Sequence, residues 1–376
     1  MRARLPRPVH LALLLVAASV ALSACSDGGG PTAAAEDDAP ASSTTSETEA
    51  AAGSDEWRQV IAPATCRCSD GSEFSYWVRE GDPEKVLFFL AGGGACFSAQ
   101  TCGPANPTFT RNLSGGPGSS EEPPEAEGIF DLDREDNPFR DHSIVYVPYC
   151  TGDLHLGNAT HDYGEDVVVH HNGLVNAGTA LSATAAMFPD AEQVVVAGAS
   201  AGSAGAPMYG GLAQDVLPDA EITVLADGSG AFPPDEGITT AIGALWGSHT
   251  NLPPWPETEG EPVAAWNLPG LFVQTVRHAP GITAATINSA YDVTQSEFVK
   301  LIGLDDDLLS LIDSNAEYVE QRDVELHTWV NAGKMHTVLG RPELYTLEVD
   351  GTSLLDWVTR LVDGQDVEDV HCEECA

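Results

Sequence analysis

Positive charge is scarce in this chain. Its 376 residues hold 16 Lys and Arg against 57 Asp and Glu, a formal net charge of −41 at pH 7. Three of the bases are lysines, Lys85, Lys300 and Lys334. A field of that sign repels phosphate backbones and anionic lipid, which excludes nucleic acid as a partner. A solvated acidic surface keeps an exported protein soluble, and adaptation to high salt is a second explanation of the same charge. A membrane-spanning run is missing too: Leu11 to Leu22, the apolar stretch near the start, is too short to cross a bilayer comfortably. No internal repeat is present. The apolar fraction, 43%, is ordinary and allows a sizeable core.

Arg2, Arg4 and Arg7 precede that apolar stretch, which closes in Leu22-Ser23-Ala24-Cys25. A basic start, a short apolar middle and a small-residue end make an export signal. The closing tetrad resembles the bacterial lipobox, in which the cysteine becomes the lipidated first residue; an ordinary signal peptide cut nearby is the alternative. Residues 1–25 are therefore read as a lipoprotein signal peptide with Cys25 as its lipidation site. Residues 26–56, rich in Gly, Ser, Thr and Glu, read as a disordered linker, and 57–376 as one catalytic domain. The expected location is extracytoplasmic, with the membrane touched only through the anchor and disulfides permitted.

Within 57–376 apolar runs alternate with helical patterns. Lys85–Ala91, Ser143–Tyr149, Gln193–Gly198, Ile222–Asp227, Ile282–Tyr291 and Val324–Gly333 read as strands. Gly173–Phe188, a segment from about Ala201, and Ser353–Gly364 read as helices. Such alternation implies an α/β fold whose mostly parallel sheet is covered by helices on both faces. Gly103–Arg140 and Asn251–Leu271 break the rhythm and read as irregular insertions bordering the site.

One strand empties into Gly198-Ala199-Ser200-Ala201-Gly202, a G-x-S-x-G between strand and helix. That context presents Ser200 as a nucleophile on an α/β-hydrolase-like elbow. Ser203, about one turn into the helix, lacks the framing glycine and reads as packing. A serine needs a base and the base an orienting acid, in the chain order Ser, Asp or Glu, His. His336 lies on a loop beyond a strand end and suits the base. His327 sits inside that strand and reads as structural, while His249, His278 and His371 are poorly placed. Asp292 ends a strand just before a Thr294–Glu297 capping box. Asp227 ends another strand, and sequence order allows either acid, with spacing slightly favouring Asp292. The glycines of Leu90–Phe97 can turn backbone N–H groups toward an oxyanion.

Five motifs in order resemble the pectin acetylesterase family: LAGGGACFSAQTC (Leu90–Cys102), IVYVPYCTGDLHLGN (Ile144–Asn158), GASAGSAG (Gly198–Gly205), INSAYDVTQ (Ile287–Gln295) and MHTVL (Met335–Leu339). The resemblance implies Ser200, Asp292 and His336 as the triad, which settles the acid. It implies an oxyanion hole from the N–H groups of Gly93, Gly94 and Ala201, and a local bridge between Cys96 and Cys102. Ala91 and Ala95 stand where the family has an acidic and an aromatic residue, so the pocket wall differs.

Seven cysteines remain beyond Cys25, an odd number that leaves at least one unpaired within the chain. Cys66 and Cys68 near the start of the domain, with Cys372 and Cys375 at its end, read as a staple of the termini; a four-cysteine zinc site is the alternative. His170 and His171, taken as neighbours on a helix, do not share a face and read as surface residues or as supports behind a site rather than metal ligands.

The reading is an exported, lipid-anchored, monomeric serine carboxylesterase without metal or cofactor. It would remove short acyl groups, acetyl first, from a small molecule or an extracellular polysaccharide through an acyl-enzyme. Another serine hydrolase (a lipid-type deacylase, a peptidase or an acyltransferase) and a non-catalytic surface-binding lipoprotein are the rivals.

Overall fold

In the computed structural model, residues 56–373 and Cys375 are described; the signal peptide, Cys25 and all of the linker but its last residue lie outside the described residues. The strands are β1 (Arg58–Ile61), β2 (Ser75–Arg79), β3 (Asp82–Leu90), β4 (His142–Val147), β5 (Ala159–Asp162), β6 (Val168–His171), β7 (Gln193–Ala199), β8 (Glu221–Asp227), β9 (Thr283–Ser289), β10 (His327–Asn331), β11 (Glu348–Val349), β12 (Thr352–Ser353) and β13 (Val370–His371). The helices are α1 (Ala99–Cys102), α2 (Gly173–Met187), α3 (Ala201–Val216), α4 (Glu236–Trp246), α5 (Leu268–His278), α6 (Val293–Leu301), α7 (Leu308–Glu320) and α8 (Leu354–Val362). None of the described helices is long and apolar enough to cross a membrane.

Nine strands form the central sheet in the order β1-β2-β4-β3-β7-β8-β9-β10-β13. β1 and β2 are antiparallel additions at one edge, and every pairing from β4 to β13 is parallel. Successive side chains of a strand point to opposite faces, and here both faces are buried. Val86, Phe88 and Leu90 of β3 join Val194, Val196, Ile222 and Val224 in one core. Leu87 and Phe89 join Val195, Ala197, Leu225, Ile287 and Trp329 in the other. The unbroken apolar runs follow from that double burial. Helices α2, α3 and α5 cover the first face; α8 covers the second with Leu354, Trp357, Val358 and Leu361.

Several sequence expectations need correcting. His170 and His171 lie on strand β6 of a small hairpin, not on a helix; the alternating burial of Val168–His171 is the strand period. β10 begins at His327, and Val324 and Leu326 pack into the core ahead of it without pairing. α6 starts just after Asp292, but the cap is Asp292 itself, whose carboxylate accepts from the Thr294 and Gln295 N–H groups. Gly103–Arg140 does not line the cavity described below. Its Ile129, Phe130 and Phe139 are buried in the second core, and its Thr110 N–H donates to the Gly93 carbonyl from behind.

The staple of the termini is absent. Cys68 pairs with Cys150, Cys96 with Cys102 and Cys372 with Cys375; Cys66 is free and buried. The two ends of the domain sit at opposite edges of the nine-stranded sheet. With strands ~4.8 Å apart, the six spacings from β4, beside which Cys68 lies, to β13, which Cys372 follows, come to roughly 30 Å, against the ~7 Å that a disulfide tolerates between Cα atoms. The same separation removes the four-cysteine zinc alternative. Cys68 instead meets Cys150 because the β1–β2 loop lies beside the end of β4, where the Ser69 N–H also donates to the Cys150 carbonyl. Three disulfides fit an extracellular domain.

Candidate active site

Ser200 stands between β7 and α3 with φ 54° and ψ −117°, a strained backbone for a residue with a Cβ. Its N–H donates to the Asp227 carbonyl at 2.7 Å. Close packing makes the turn possible: a Cβ on Gly202 would lie 1.9 Å from the Leu90 carbonyl oxygen. Ser203 is fully buried, and its hydroxyl donates to the Ser200 carbonyl at 2.7 Å.

β9 ends beside Asp292, and the loop after β10 carries His336. His336 Nδ1 donates to Asp292 Oδ2 at 2.6 Å. Asp292 is fully buried and also accepts from the Thr294 and Gln295 N–H groups and from Gln295 Nε2. A carboxylate can only accept, so the ring proton sits on Nδ1 and the lone pair on Nε2. Nε2 is buried and has no hydrogen-bond partner among the described residues. Ser200 and His336 line one cavity.

Asp227 is buried as well, but its carboxylate does not take the ring. Its Oδ2 accepts from the Val338 and Leu339 N–H groups at 2.7 and 2.8 Å. Burial pushes its carboxyl up to about 6, against the pull of those two N–H groups and of His336.

Gly94 and Ala201 line the cavity with Ser200. Gly94 has φ +77°, and a Cβ there would lie 2.1 Å from the Thr108 carbonyl oxygen. Gly93 packs against Tyr149 and Thr110. The loop after β4 supports this glycine run. The Cys96 N–H donates to the Gly152 carbonyl at 3.0 Å, and His155 Nε2 donates to the Ala91 carbonyl at 2.9 Å. Burial pushes His155 down to about 4, so the ring is neutral. Leu154 and His155 both have φ near +60°. Asp153 holds them there: its carboxylate accepts from Thr151 Oγ1 and from the His155 and Gly173 N–H groups. Asp153 and His155 were missed as individual residues; the sequence signal was the polar cluster in TGDLHLGN directly after an apolar strand.

The cavity encloses about 140 Å³. Its wall is mainly apolar and includes Phe97, Leu154, Ile238, Ile242, Trp246 and Phe298. Ala95 lines it, whereas Ala91 does not and packs on Tyr149 and Ala201 instead. Of the two tryptophans of the Asn251–Leu271 insertion, Trp266 lines the cavity; Trp255 is buried behind it, stacked on His278 at 4.4 Å.

Comparison with known proteins adds a family to this geometry. Residues 58–252 match the family model described as pectinacetylesterase. The chain is 33% identical over 104 residues to the inactive palmitoleoyl-protein carboxylesterase notum1b of Danio rerio, covering 27% of this chain and 72% of the zebrafish protein. It is 30% identical over 142 residues to palmitoleoyl-protein carboxylesterase notum2 of Xenopus laevis, covering 37% of this chain. It is 38% identical over 95 residues to palmitoleoyl-protein carboxylesterase NOTUM of Schmidtea mediterranea, covering 24% of this chain. The chain spans only 28% of the frog protein and 18% of the planarian one. Among solved structures, the Wnt deacylase Notum from Drosophila superposes with a TM-score of 0.58 at 17% identity, covering 82% of this chain and 94% of that one. That likeness shows the fold: a mostly parallel sheet of the α/β-hydrolase kind.

Proposed function

The chain belongs to the pectinacetylesterase family of serine carboxylesterases, and on that premise we propose that Ser200, His336 and Asp292 hydrolyse an acyl ester held in the apolar cavity. The observation that carries the reading is the His336 ring, fixed by a buried carboxylate on one nitrogen and unpartnered on the other, in the cavity that a strained serine also lines. Nε2 takes the Ser200 hydroxyl proton as Oγ attacks the ester carbonyl. The N–H groups of Gly93, Gly94 and Ala201 receive the oxyanion. As the intermediate collapses, the bond to the alcohol oxygen breaks and Nε2–H returns the proton to it. Water then repeats the sequence on the acyl-enzyme, releasing the acid. Asp292 keeps the ring in the required tautomer throughout.

Sequence reading leads to short acyl groups; the cavity wall supports a longer one. The wall offers Ile238, Ile242 and Trp246 to an acyl chain, and each methylene buried there gains roughly 0.8 kcal/mol. The protein's frog and planarian relatives, palmitoleoyl-protein carboxylesterases, point the same way. Acetyl removal from a polysaccharide is the second reading, favoured by the family's own description. Turnover of p-nitrophenyl esters from acetate to palmitate separates the two. A maximum at octanoate or longer is expected, and a maximum at acetate supports the second. Labelling by a fluorophosphonate, with Ser200 as the modified residue by peptide mapping, tests the nucleophile; labelling at Ser203 would overturn it.

The export signal and Cys25 support a lipid-anchored enzyme acting outside the cytoplasm. Cys25→Ala is expected to leave the membrane fraction with its esterase activity unchanged, and a variant that stays in that fraction would refute the anchor.

A further inference from the structure

We infer that Asp227 is a positioning residue that sets the spacing between the nucleophile and its base. The inference rests on the roles given above to Ser200 and His336. Asp227 ends β8, between β7, which runs into Ser200, and β9, which runs toward Asp292. Its backbone carbonyl accepts the Ser200 N–H at 2.7 Å. Its carboxylate accepts the Val338 and Leu339 N–H groups, two and three residues past His336, at 2.7 and 2.8 Å. One residue thus holds the elbow by its main chain and the histidine loop by its side chain.

The loop needs such a hold. Thr337, next to His336, has φ +62°, a costly conformation for a β-branched residue. Two N–H groups aimed at one oxygen fix the turn that follows it. Gly228, which follows Asp227, leaves the loop room to come this close: a Cβ there would lie 2.9 Å from Thr337 Cγ2. The two carboxylates therefore divide the work. Asp292 touches the imidazole and sets its tautomer. Asp227 touches only backbone and sets where the imidazole stands. The charged or titratable groups that face Asp227 are His336 and Asp292.

The division makes opposite predictions for the same substitution. An asparagine at 227 still offers a carbonyl oxygen to both N–H groups; an asparagine at 292 offers His336 the wrong tautomer choice. Alanine at 227 removes the hold, and a misplacement of about 1 Å can cost on the order of 10²-fold in turnover. The experiment measures kcat and KM on a p-nitrophenyl ester for the full chain, normalised to sites labelled by fluorophosphonate, with melting temperatures alongside. Asp227→Asn is expected within about threefold of wild-type kcat, and Asp227→Ala about 10²-fold lower with KM nearly unchanged. A purely structural role would lower the number of labelled sites in both variants and leave kcat per site alone. Wild-type kcat per site in Asp227→Ala overturns the inference. So does an Asp227→Asn variant as impaired as Asp292→Asn, an arm that decides even if the alanine variant does not fold. Wild-type protein that is not labelled at Ser200 overturns the nucleophile assignment and this inference with it.

Discussion

The carboxyl ends of β7, β8 and β9 and the loop after β10 carry Ser200, Asp227, Asp292 and His336. The segment from Phe232 to Leu268 carries Ile238, Ile242, Trp246 and Trp266, which line the cavity. The first region hangs on strands paired in continuous parallel register and buried on both faces. The second is made of α4, 3₁₀ turns and proline-rich connections, and it is held by side chains. Trp255 Nε1 donates to Asp215, Asn267 caps α5, and His278 bridges two carboxylates. Rigid backbone positions the reacting atoms, while side-chain contacts shape what enters. Changes in the first region should act on the rate for every ester; changes in the second should act on which ester is preferred.

The largest effects belong to the strand ends. Ser200→Ala is expected to abolish nearly all esterase activity and all fluorophosphonate labelling while the melting temperature holds. Asp292→Asn should cut kcat by about 10⁴-fold, as the equivalent change does in a serine protease. Both losses should be the same for acetate and octanoate esters. A loss that depends on chain length would break the division between the two regions.

Next comes the roof. Ile242 lines the cavity from α4. Ile242→Trp should lower kcat/KM for octanoate about 10–100-fold, the size of one or two lost methylene contacts with added crowding, and leave acetate within twofold. Equal losses on both esters would mean that the cavity beside Ser200 is not where the acyl chain lies.

The contrast also explains what was legible in the sequence. The central strands announced themselves because burial on both faces demands unbroken apolar runs, as in Lys85–Ala91 and Gln193–Gly198. The elbow was legible because close approach of α3 to β3 leaves room only for glycine at 202. β1 and the β5–β6 hairpin are short edge or surface strands whose mixed polarity carries no such mark, and β2, though buried throughout between β1 and β4, is a five-residue strand of mixed polarity. α4 to α7 were not read as helices in full, because their apolar faces pack on the roof or on one another as well as on the sheet. The choice between Asp227 and Asp292 could not be made from chain order, since both come at or just past the ends of parallel strands after the nucleophile. What separates them is the direction of a side chain, to backbone N–H groups in one case and to a ring nitrogen in the other. The cysteine staple failed for a related reason: sequence ends say nothing about which edge of a sheet they occupy.

A smaller effect tests the buried charge in the first region. The Asp227 carboxyl is raised to about 6 in the folded chain, above its ordinary value near ~3.9 when unfolded. Between those values the folded state holds the proton more firmly than the unfolded state, so wild-type stability falls as pH rises from about 4 to about 6 and then levels. Asp227→Asn removes that cost. Its melting temperature relative to wild type should therefore climb across that window and be constant above it. A difference that shrinks as pH rises would show that the ionised carboxylate is a net stabiliser here.

The smallest effect is expected at the tie that holds the roof. His278 Nδ1 lies 2.9 Å from Glu257 Oε2, and Nε2 lies 2.8 Å from Asp215 Oδ1. His278 thus bridges the two carboxylates through its two ring nitrogens while its ring stacks on Trp255. Glu257 is held below its ordinary value chiefly by that hydrogen bond. The tie joins α3, through Asp215, to the turn carrying Glu257, on the same insertion as Trp266. Both carboxylates face solvent, which keeps a contact of this kind weak. His278→Ala should lower the melting temperature by a few degrees, raise KM for the octanoate ester two- to threefold and leave kcat on acetate unchanged, because Ser200 and His336 hang from the strands and not from the roof. If acetate turnover falls in step with octanoate, the roof positions the reacting atoms as well, and the two regions are one device.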